Sequence, residues 1–232
     1  MKVAVLGYHK IGECPDGHGS WFYVSEDLFE RQLRWIQDNG WRVIDIEWFL
    51  EALASPDAAT EKSVLLTFDD GYRSITRGAM SRLRAFGAPA VLFVPGGFIG
   101  GTNDFDAGIE PEEAICGWDD LLSLEQQGIS IQSHGISHRR LSSLDQNELE
   151  HEIAGSKAML DSRLSRAVDV FSYPYGDSGS DGDVARVLRR AGYKAAFGFG
   201  GHPMTLPVAD VYRVERIPMG PETDLAVELG DA

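Results

Sequence analysis

Short apolar runs alternate with amphipathic segments along this chain, and the two patterns repeat in a regular order. Uninterrupted apolar runs predict buried strands, and apolar residues at helical spacing predict helices. Strands are predicted at 3–8, 42–46, 63–68, 90–94, 129–133, 168–173, 193–197 and, last, 211–217. Helices are predicted at 25–39, 46–54, 75–86, 118–127, 145–163 and 183–191.

The regular alternation of strand and helix determines the predicted fold class, which is α/β. Each crossover helix returns the chain to the same end of the sheet, so a mostly parallel sheet is expected. With roughly 30 residues in each strand-and-helix unit, a closed or nearly closed barrel is the first interpretation, and an open doubly wound sheet is the alternative. No linker or change in composition divides the chain, so residues 1–232 are predicted to form a single domain.

Composition and charge exclude several classes of function. The chain has 232 residues, of which 43% are hydrophobic and 25% are charged, as in an ordinary globular protein. These values exclude a disordered chain, a fibrous repeat and a small disulfide scaffold. The formal net charge of -15 repels phosphate backbones and anionic lipid, so neither a nucleic acid nor a membrane surface is an expected partner. Oligomeric state is left open.

Cysteine usage and the N-terminal sequence bear on the compartment. Cys14 and Cys116 are too few for a disulfide framework, and free thiols are expected, although spacing alone does not show whether the two meet. No signal-peptide h-region and no apolar run of about 18 residues is found, which argues against membrane insertion. With Met1 as the native start, a cytoplasmic location is expected.

Candidate chemistry lies where predicted strands end, because the carboxyl ends of parallel strands meet at one edge of a sheet or barrel. Asp69 and Asp70 follow the strand at 63–68, and His134 and His138 follow the strand at 129–133. One Asp could serve as a helix N-cap, but two adjacent carboxylates repel each other and need a cation or a proton nearby.

His134 and His138 are four residues apart, so both imidazoles can reach one metal ion. Two histidines and one aspartate form an open three-ligand set typical of catalytic Zn²⁺, which leaves the second aspartate to act as a base. The spacing is not the zincin motif, because no Glu lies between the histidines. His151 and Glu152 lack a second His four positions on and are predicted to lie on a surface helix.

Three segments together carry a family resemblance: T-F-D-D-G at 67–71, S-H-G-I-S-H at 133–138 and F-S-Y-P-Y-G at 171–176. The stretches at 7–10, 29–44 and 213–217 extend the likeness over nearly the whole chain. The sequence resembles the polysaccharide deacetylases with a NodB-homology domain, carbohydrate esterase family four. Within them it is most similar to the branch that contains the poly-N-acetylglucosamine deacetylases.

This resemblance implies a distorted (β/α)7-type barrel and a hydrolase acting on a carbon–nitrogen bond other than a peptide bond. The substrate would be an N-acetylated sugar or glycan, from which acetate is removed. Asp70, His134 and His138 would bind the divalent metal, with Zn²⁺ expected first and Ni²⁺ or Co²⁺ as alternatives. Asp69 would be the base, and the backbone N–H of Tyr175 would help to hold the oxyanion.

The sequence departs from the family pattern at three positions. Ser172 occupies the place where the family has an Arg that orients the catalytic Asp, and Arg216 is a candidate to replace it. Gly135 stands where a Ser or Thr is usual, so one supporting hydrogen bond is expected to be missing. No L-x-H motif supplies the general acid. His202 is the first candidate for that role and His9 the second.

Two other functions stay open at this point. Related NodB-type proteins act on formamides, cyclic imides and other non-sugar C–N bonds, and the departures from the pattern make this a rival interpretation. The other is a carbohydrate-binding relative without catalysis. Six aromatic residues in loops predicted at the rim could stack on sugar rings or pack on the barrel: Trp21, Phe22, Tyr23, Phe98, Phe105 and Trp118.

Overall fold

A computed structural model describes residues 2–55, 62–179 and 182–230. Its strands are Lys2–Tyr8 (β1), Lys10–Ile11 (β2), Tyr23–Val24 (β3), Arg42–Ile44 (β4), Ser63–Phe68 (β5), Ala90–Val94 (β6), Ile129–Ser133 (β7), Val170–Ser172 (β8), Ala195–Phe197 (β9), Met204–Thr205 (β10) and Ile217–Pro218 (β11). The predicted bounds of β5, β6 and β7 are confirmed residue for residue.

The α-helices are Glu26–Asp38 (α1), Ile46–Ala54 (α2), Met80–Ala85 (α3), Trp118–Gln126 (α4), Gln146–Glu150 (α5), Ser156–Asp161 (α6), Asp183–Ala191 (α7) and Leu225–Leu229 (α8). Sequence signals fix their ends. The Ser25 hydroxyl accepts the Leu28 N–H at 3.2 Å and so caps α1, as the prediction required. Within the described residues, no helix is long and apolar enough to cross a membrane.

The main sheet is parallel except at one edge and has the order β10-β1-β5-β6-β7-β8-β9. In addition, β4 pairs with β5, and β11 pairs in parallel with β1, whereas β10 is antiparallel to β1. The sheet curls into a half-barrel, which confirms the α/β barrel class predicted from the sequence. Strands β5, β7 and β8 point their carboxyl ends to the same rim because they run in parallel.

The segment 211–219 lies between the two edge strands of the curled sheet. The Val214 N–H donates to Ala196 O at 3.0 Å on the β9 side, and the Met219 N–H donates to Gly7 O at 2.9 Å on the β1 side. The segment therefore bridges the opening of the half-barrel. This position carries the side chain of Arg216 into the protein interior, where it is fully buried.

Alternate residues of β1 enter two different cores, as expected for a strand covered on both faces. Ala4 and Leu6 pack in the cluster that includes Phe29 of α1, whereas Val3 and Val5 pack with the aromatic cluster on the other face. In that cluster the Phe197 ring lies 5.6 Å from both Phe49 and Phe93, measured between ring centroids. A third core lies beneath β8 and α7 and includes Phe171, Leu188 and Tyr193.

Two predicted helices differ from the structure. The helix predicted at 75–86 is a 3-10 turn at Arg73–Thr76 followed by α3, and Gly78 lies between them. A Cβ at Gly78 would lie 2.4 Å from Ile11 O, so close backbone packing interrupts the helix there. The helix predicted at 145–163 is continuous but contains a π-helical turn at His151–Gly155, between α5 and α6.

The last predicted strand, 211–217, was too long. The structure has β11 and an isolated bridge between Val214 and Phe197. Asp210 causes the difference, because its side chain accepts the Tyr212 N–H at 2.9 Å and its carbonyl accepts the Arg213 N–H at 3.1 Å. These hydrogen bonds form a turn in place of an extended ladder.

Candidate metal centre

Asp70, His134 and His138 form one buried cluster at the rim where β5 and β7 end. Asp70 Oδ1 lies 3.3 Å from His134 Nε2 and 3.2 Å from His138 Nε2. One ligand atom from each residue lies within 4.8 Å of the other two, as a shared metal ion requires. The structure thus brings together the three residues predicted as ligands.

The hydrogen bonds around His134 indicate why a cation belongs in this cluster. His134 Nδ1 lies 2.7 Å from Ser172 O, a carbonyl that can only accept, so Nδ1 carries the proton of the neutral ring. The lone pair of Nε2 then faces Asp70 Oδ1, a buried atom without a hydrogen-bond partner among the described residues. The donor set therefore fits a divalent metal.

Backbone strain is concentrated at this rim. Among the described non-glycine residues, only Asp70, His138 and Tyr175 have positive φ, at 68°, 53° and 57°. Such conformations cost on the order of 1–3 kcal/mol each and persist where the surrounding structure enforces them. Two of the three residues belong to the metal cluster, and the third follows β8, so the strain coincides with the predicted site.

Asp69 is held by Arg216. The Arg216 guanidinium donates from Nη1 to Asp69 Oδ1 and from Nη2 to Asp69 Oδ2, each at 2.7 Å, and both side chains are almost fully buried. Its other N–H groups donate to Gly198 O, Thr67 Oγ1 and Ser172 Oγ, so all five donors have acceptors. The guanidinium carbon also lies 4.0 Å from the centroid of the Phe199 ring.

Ser172 completes this arrangement. Its hydroxyl accepts from Arg216 Nη2 at 2.7 Å and donates to Asp69 Oδ2 at 3.1 Å. Arg216 thus contacts both Ser172 and Asp69 from a segment distant along the chain. Burial raises the pKa of Asp69, whereas the charges of Arg216 and His134 lower it, and the net pKa is below its usual value. Asp69 is therefore an ionised carboxylate beside the cluster.

Glu152 supports the loop that joins the two histidines. Its Oε2 accepts the N–H groups of Ile136 at 2.7 Å and Ser137 at 2.9 Å, and its Oε1 accepts the Ser137 hydroxyl at 2.5 Å. The prediction that Glu152 lies on a helix surface was wrong, because the residue is only 3% exposed. The loop is therefore supported even though Gly135 offers no hydroxyl.

His9 and His202, the two candidate general acids, differ in burial and in their position relative to the cluster. His9 is buried, and its Nδ1 has no hydrogen-bond partner among the described residues. Burial lowers the pKa of His9, and the nearby charges of Asp70 and Asp69 act in the opposite direction, so His9 lies near the cluster. His202 is exposed, and none of the hydrogen bonds or ion pairs within the described residues links it to the cluster.

Tyr175 and Phe105 border the cluster on the side of His138. Their rings lie 4.7 Å and 4.2 Å from the His138 ring, measured between centroids. The Tyr175 ring is 45% exposed and carries the Arg140 guanidinium 4.6 Å above its centroid. Both residues therefore lie where the substrate of a metal site would approach.

Sequence reasoning missed Glu152 and Asp106, both buried near the cluster. Asp106 lies in the glycine-rich loop after β6, and its charge interacts with Asp70 and His138. The local sequence gave no signal for Asp106. Cys14 and Cys116, for which free thiols were expected, are both free in the described structure.

Comparison with known proteins identifies related sequences. A family model described as polysaccharide deacetylase matches residues 57–196. YxkH of Bacillus subtilis, named as a candidate polysaccharide deacetylase, is 28% identical over 193 residues, which are 83% of this chain and 63% of that protein. The poly-beta-1,6-N-acetyl-D-glucosamine N-deacetylase of Escherichia coli is 34% identical over 97 residues, 42% of this chain and 14% of that protein. The matches thus span less than two thirds of both relatives.

A solved structure shares the fold. The Streptococcus pyogenes deacetylase PplD, determined in complex with acetate, superposes with a TM-score of 0.82 and covers 96% of this chain and 94% of its own. Its sequence identity is 23%, so the likeness concerns the fold.

Proposed function

Because this chain belongs to the polysaccharide deacetylase family, we propose that it is a metal-dependent hydrolase that removes the N-acetyl group from an amino sugar in a glycan or glycoconjugate. Members of the family are hydrolases of amide C–N bonds. One observation carries the proposal: an Asp-His-His cluster with ligand spacing lies beside a second carboxylate, Asp69, that Arg216 keeps ionised. The name of the E. coli relative supports an N-acetylglucosamine-type substrate.

We propose that Asp70, His134 and His138 hold the metal. When bound, a divalent ion would lower the pKa of a water molecule and polarise the acetyl carbonyl. Two imidazole nitrogens and one carboxylate oxygen suit Zn²⁺, and Ni²⁺ or Co²⁺ also accept such a set. Zn²⁺ is therefore the first metal to test.

Asp69 has the properties of a general base. Its carboxylate is ionised and fixed in orientation by two hydrogen bonds from Arg216 and one from Ser172, so it can accept the proton of the attacking water. The backbone N–H of Tyr175 would donate to the oxygen that becomes negative as the acetamide carbon turns tetrahedral. The positive φ of Tyr175 sets the direction of this peptide group.

The leaving amine needs a proton, and we assign its delivery to His9 in place of His202. His9 is buried beside the cluster, and its Nδ1 is unpartnered in the part of the chain that the structure describes. Its ring is kept in position by Phe22, 4.4 Å away, and by Phe199, 5.7 Å away, between centroids. His202 is exposed and lacks such a position.

The single-domain organisation of residues 1–232 is part of this proposal. Nine of the eleven strands found in the described residues belong to one sheet, and β2 and β3 pair with each other in a second, small sheet. One buried pair joins distant parts of the chain, because Asp69 follows β5 and Arg216 lies near the end of the chain. This contact supports a single folding unit.

The test is hydrolysis by the purified, metal-loaded chain, measured as acetate release from the sugars, formate release from the formamide and ring opening of the imide. The panel would include β-1,6-linked and β-1,4-linked N-acetylglucosamine oligomers, N-acetylglucosamine itself, a formamide and a cyclic imide. We expect acetate from at least one acetylated sugar, loss of activity with a chelator and recovery on adding back Zn²⁺. Turnover of the formamide or imide alone would favour the non-sugar interpretation. Sugar binding without turnover by the metal-loaded chain would favour a binding protein.

A further inference from the structure

The loop at 95–117, here called the cover loop, forms hydrogen bonds with the chain between His134 and His138 and with the chain next to Asp70. At its start, the Gly96 and Gly97 N–H groups donate to Gly135 O at 2.8 Å and Ile136 O at 2.9 Å, in the loop between the two histidines. At its end, the Cys116 N–H donates to Gly71 O at 2.8 Å, next to Asp70. The cover loop is thus held against the residues that would bind the metal.

A buried ion pair fixes the middle of the cover loop. Lys10 Nζ lies 3.0 Å from Glu110 Oε2, and the Lys10 side chain is fully buried. The ammonium also lies between the rings of Tyr23 and Tyr72, 4.6 Å and 4.7 Å from their centroids. Because Glu110 and the two rings surround Lys10, this cation is already neutralised.

Asn103 holds the turn that presents Asp106. Its Nδ2 donates to Pro111 O at 3.1 Å, and its Oδ1 accepts the Glu113 N–H at 2.7 Å. These two hydrogen bonds link the first half of the cover loop to its second half. The Asn103 carbonyl accepts the Asp106 N–H at 2.9 Å. The backbone of Asp106 is therefore well ordered by internal hydrogen bonds.

The Asp106 side chain, in contrast, has no hydrogen bond to any residue that the structure describes, although the residue is only 9% exposed. The charged and titratable groups that act on it are Asp70, His138, Glu110 and Lys10. It lies outside the group of atoms with metal-ligand spacing. Its carboxylate oxygens are not among the buried side-chain atoms that lack a partner in the described structure, so they remain accessible to solvent, where a ligand can contact them.

We propose that Asp106 is a specificity residue that accepts a hydrogen bond from a ring hydroxyl next to the acetamido group of the sugar. This inference rests on the proposed function. A carboxylate can only accept, so the ligand must supply a donor, and the hydroxyls of a sugar ring are such donors. The neighbouring Phe105 ring lies 4.2 Å from the His138 ring, which places this turn at the cluster.

The experiment is a double-mutant cycle between the protein and the substrate. We would measure kcat/KM for wild type, Asp106→Ala and Asp106→Asn on an N-acetylglucosamine oligomer and on the 3-deoxy form of its reacting unit, which lacks the hydroxyl next to the acetamido group, with the 6-deoxy form as a substrate control. Asp106→Ala should lower kcat/KM on the parent by about 10- to 100-fold, as for a hydrogen bond to a charged group. On the deoxy form that lacks the contacted hydroxyl, the variant should cause almost no further loss.

Asp104→Asn is the matched control, because Asp104 lies in the same turn, is exposed and bonds only to Thr102 Oγ1 among the described residues. It should match wild type, and all variants should retain the metal content of wild type. Equal losses for Asp106→Ala on the parent and on both deoxy substrates would overturn the inference, as would loss of metal from that variant.

Calorimetric binding of the same oligomer separates failure of this inference from failure of the proposed function. A wild type that binds the sugar without releasing acetate would contradict the proposed hydrolase, and weaker binding by Asp106→Ala would still support the role of Asp106. Absence of sugar binding by metal-loaded wild type would contradict both.

Discussion

Arg216 and Asp69 are 147 residues apart in the sequence and meet in the interior through two hydrogen bonds of 2.7 Å. The pair exists because the segment after β9 runs back between the two edges of the curled sheet. A bidentate Arg–carboxylate pair fixes both the charge and the orientation of the carboxylate. Ser172 belongs to the same hydrogen-bond network, because its hydroxyl accepts from Arg216 and donates to Asp69.

Two substitutions of Arg216 should separate the effect of its positive charge from the effect of its paired hydrogen bonds to Asp69. Arg216→Lys keeps a cation but loses the paired hydrogen bonds, so we expect kcat to fall by about 10- to 100-fold while the protein stays folded. Arg216→Met leaves Asp69 buried and unpaired, and the free energy of unfolding should fall by about 3–5 kcal/mol. Steady-state kinetics and urea denaturation would measure the two effects.

Arg213→Lys is the control for these variants, because Arg213 lies in the same segment, is exposed and binds Gly179 O. It should differ little from wild type in both measurements. Full activity in Arg216→Lys would show that the bidentate geometry is not needed for the reaction.

Metal removal should reduce stability as well as activity. A bound ion would relieve the contact of Asp70 Oδ1 with the two imidazole nitrogens, and a ligand at 100 times its dissociation constant adds about 2.7 kcal/mol. We expect a chelator to lower Tm by about 5–10 °C and Zn²⁺ to restore it. His138→Gln should bind less than one equivalent of metal by elemental analysis and show no response to the chelator. A Tm that is insensitive to metal in wild type would contradict the site.

The sequence was sufficient for the parts of the site that follow local pattern. Asp70 and His134 were placed correctly at strand ends because the bounds of β5 and β7 were predicted correctly, and the apolar run of β5 stops abruptly before Asp69. Arg216 could be named only as a candidate from the family pattern. Its contact with Asp69 depends on where the segment 211–219 crosses the sheet, which is a property of the tertiary fold.

The surface prediction for Glu152 was wrong. Glu152 lies three residues after Leu149 and next to Ile153, both buried, so helical spacing already places it on the buried face. The surface prediction rested on the absence of a second His four positions on, which carries no information about burial. Asp106 was missed because the cover loop has no periodicity from which burial can be inferred. For Asp106 the signal lies in contacts distant along the chain.

Glu152→Gln should weaken metal binding more than it weakens folding. The amide can accept fewer of the three hydrogen bonds from Ile136 and Ser137, so the loop between His134 and His138 should loosen. We expect metal affinity to fall by about 10- to 100-fold in competition with a chromogenic chelator.

Glu150→Gln makes the same change on the neighbouring exposed turn, where Glu150 pairs with Arg190, and it should leave the affinity unchanged. A Glu152→Gln protein with wild-type metal affinity and a lower Tm would indicate that Glu152 stabilises the fold alone.

The two candidate acids can be distinguished by the leaving group. His9→Gln should lower kcat by about 10²- to 10⁴-fold on a sugar substrate, the usual contribution of general acid catalysis. On an acetanilide the loss should be much smaller, because an aniline leaves with less need of a proton. His202→Gln should behave as wild type on both substrates. If His202→Gln shows the leaving-group dependence and His9→Gln does not, the assignment is reversed.

Glu125 links stability to pH at a point far from the metal cluster. Burial raises its pKa, but hydrogen bonds from the Arg166 N–H, the Ser165 hydroxyl and the Ser165 N–H outweigh burial and hold the pKa below its usual value of 4.5. A carboxyl with a lowered pKa in the folded state stabilises the protein above its unfolded pKa, and the stabilisation is lost as pH falls through the folded pKa.

The free energy of unfolding of Glu125→Gln should therefore be about 1–2 kcal/mol lower than that of wild type between pH 5 and 7, and the difference should shrink below about pH 4.5. Urea denaturation followed by tryptophan fluorescence at stepped pH would measure this. A difference that stays constant from pH 7 to 3.5 would show that the charge of Glu125 is not what anchors the turn at 165–166.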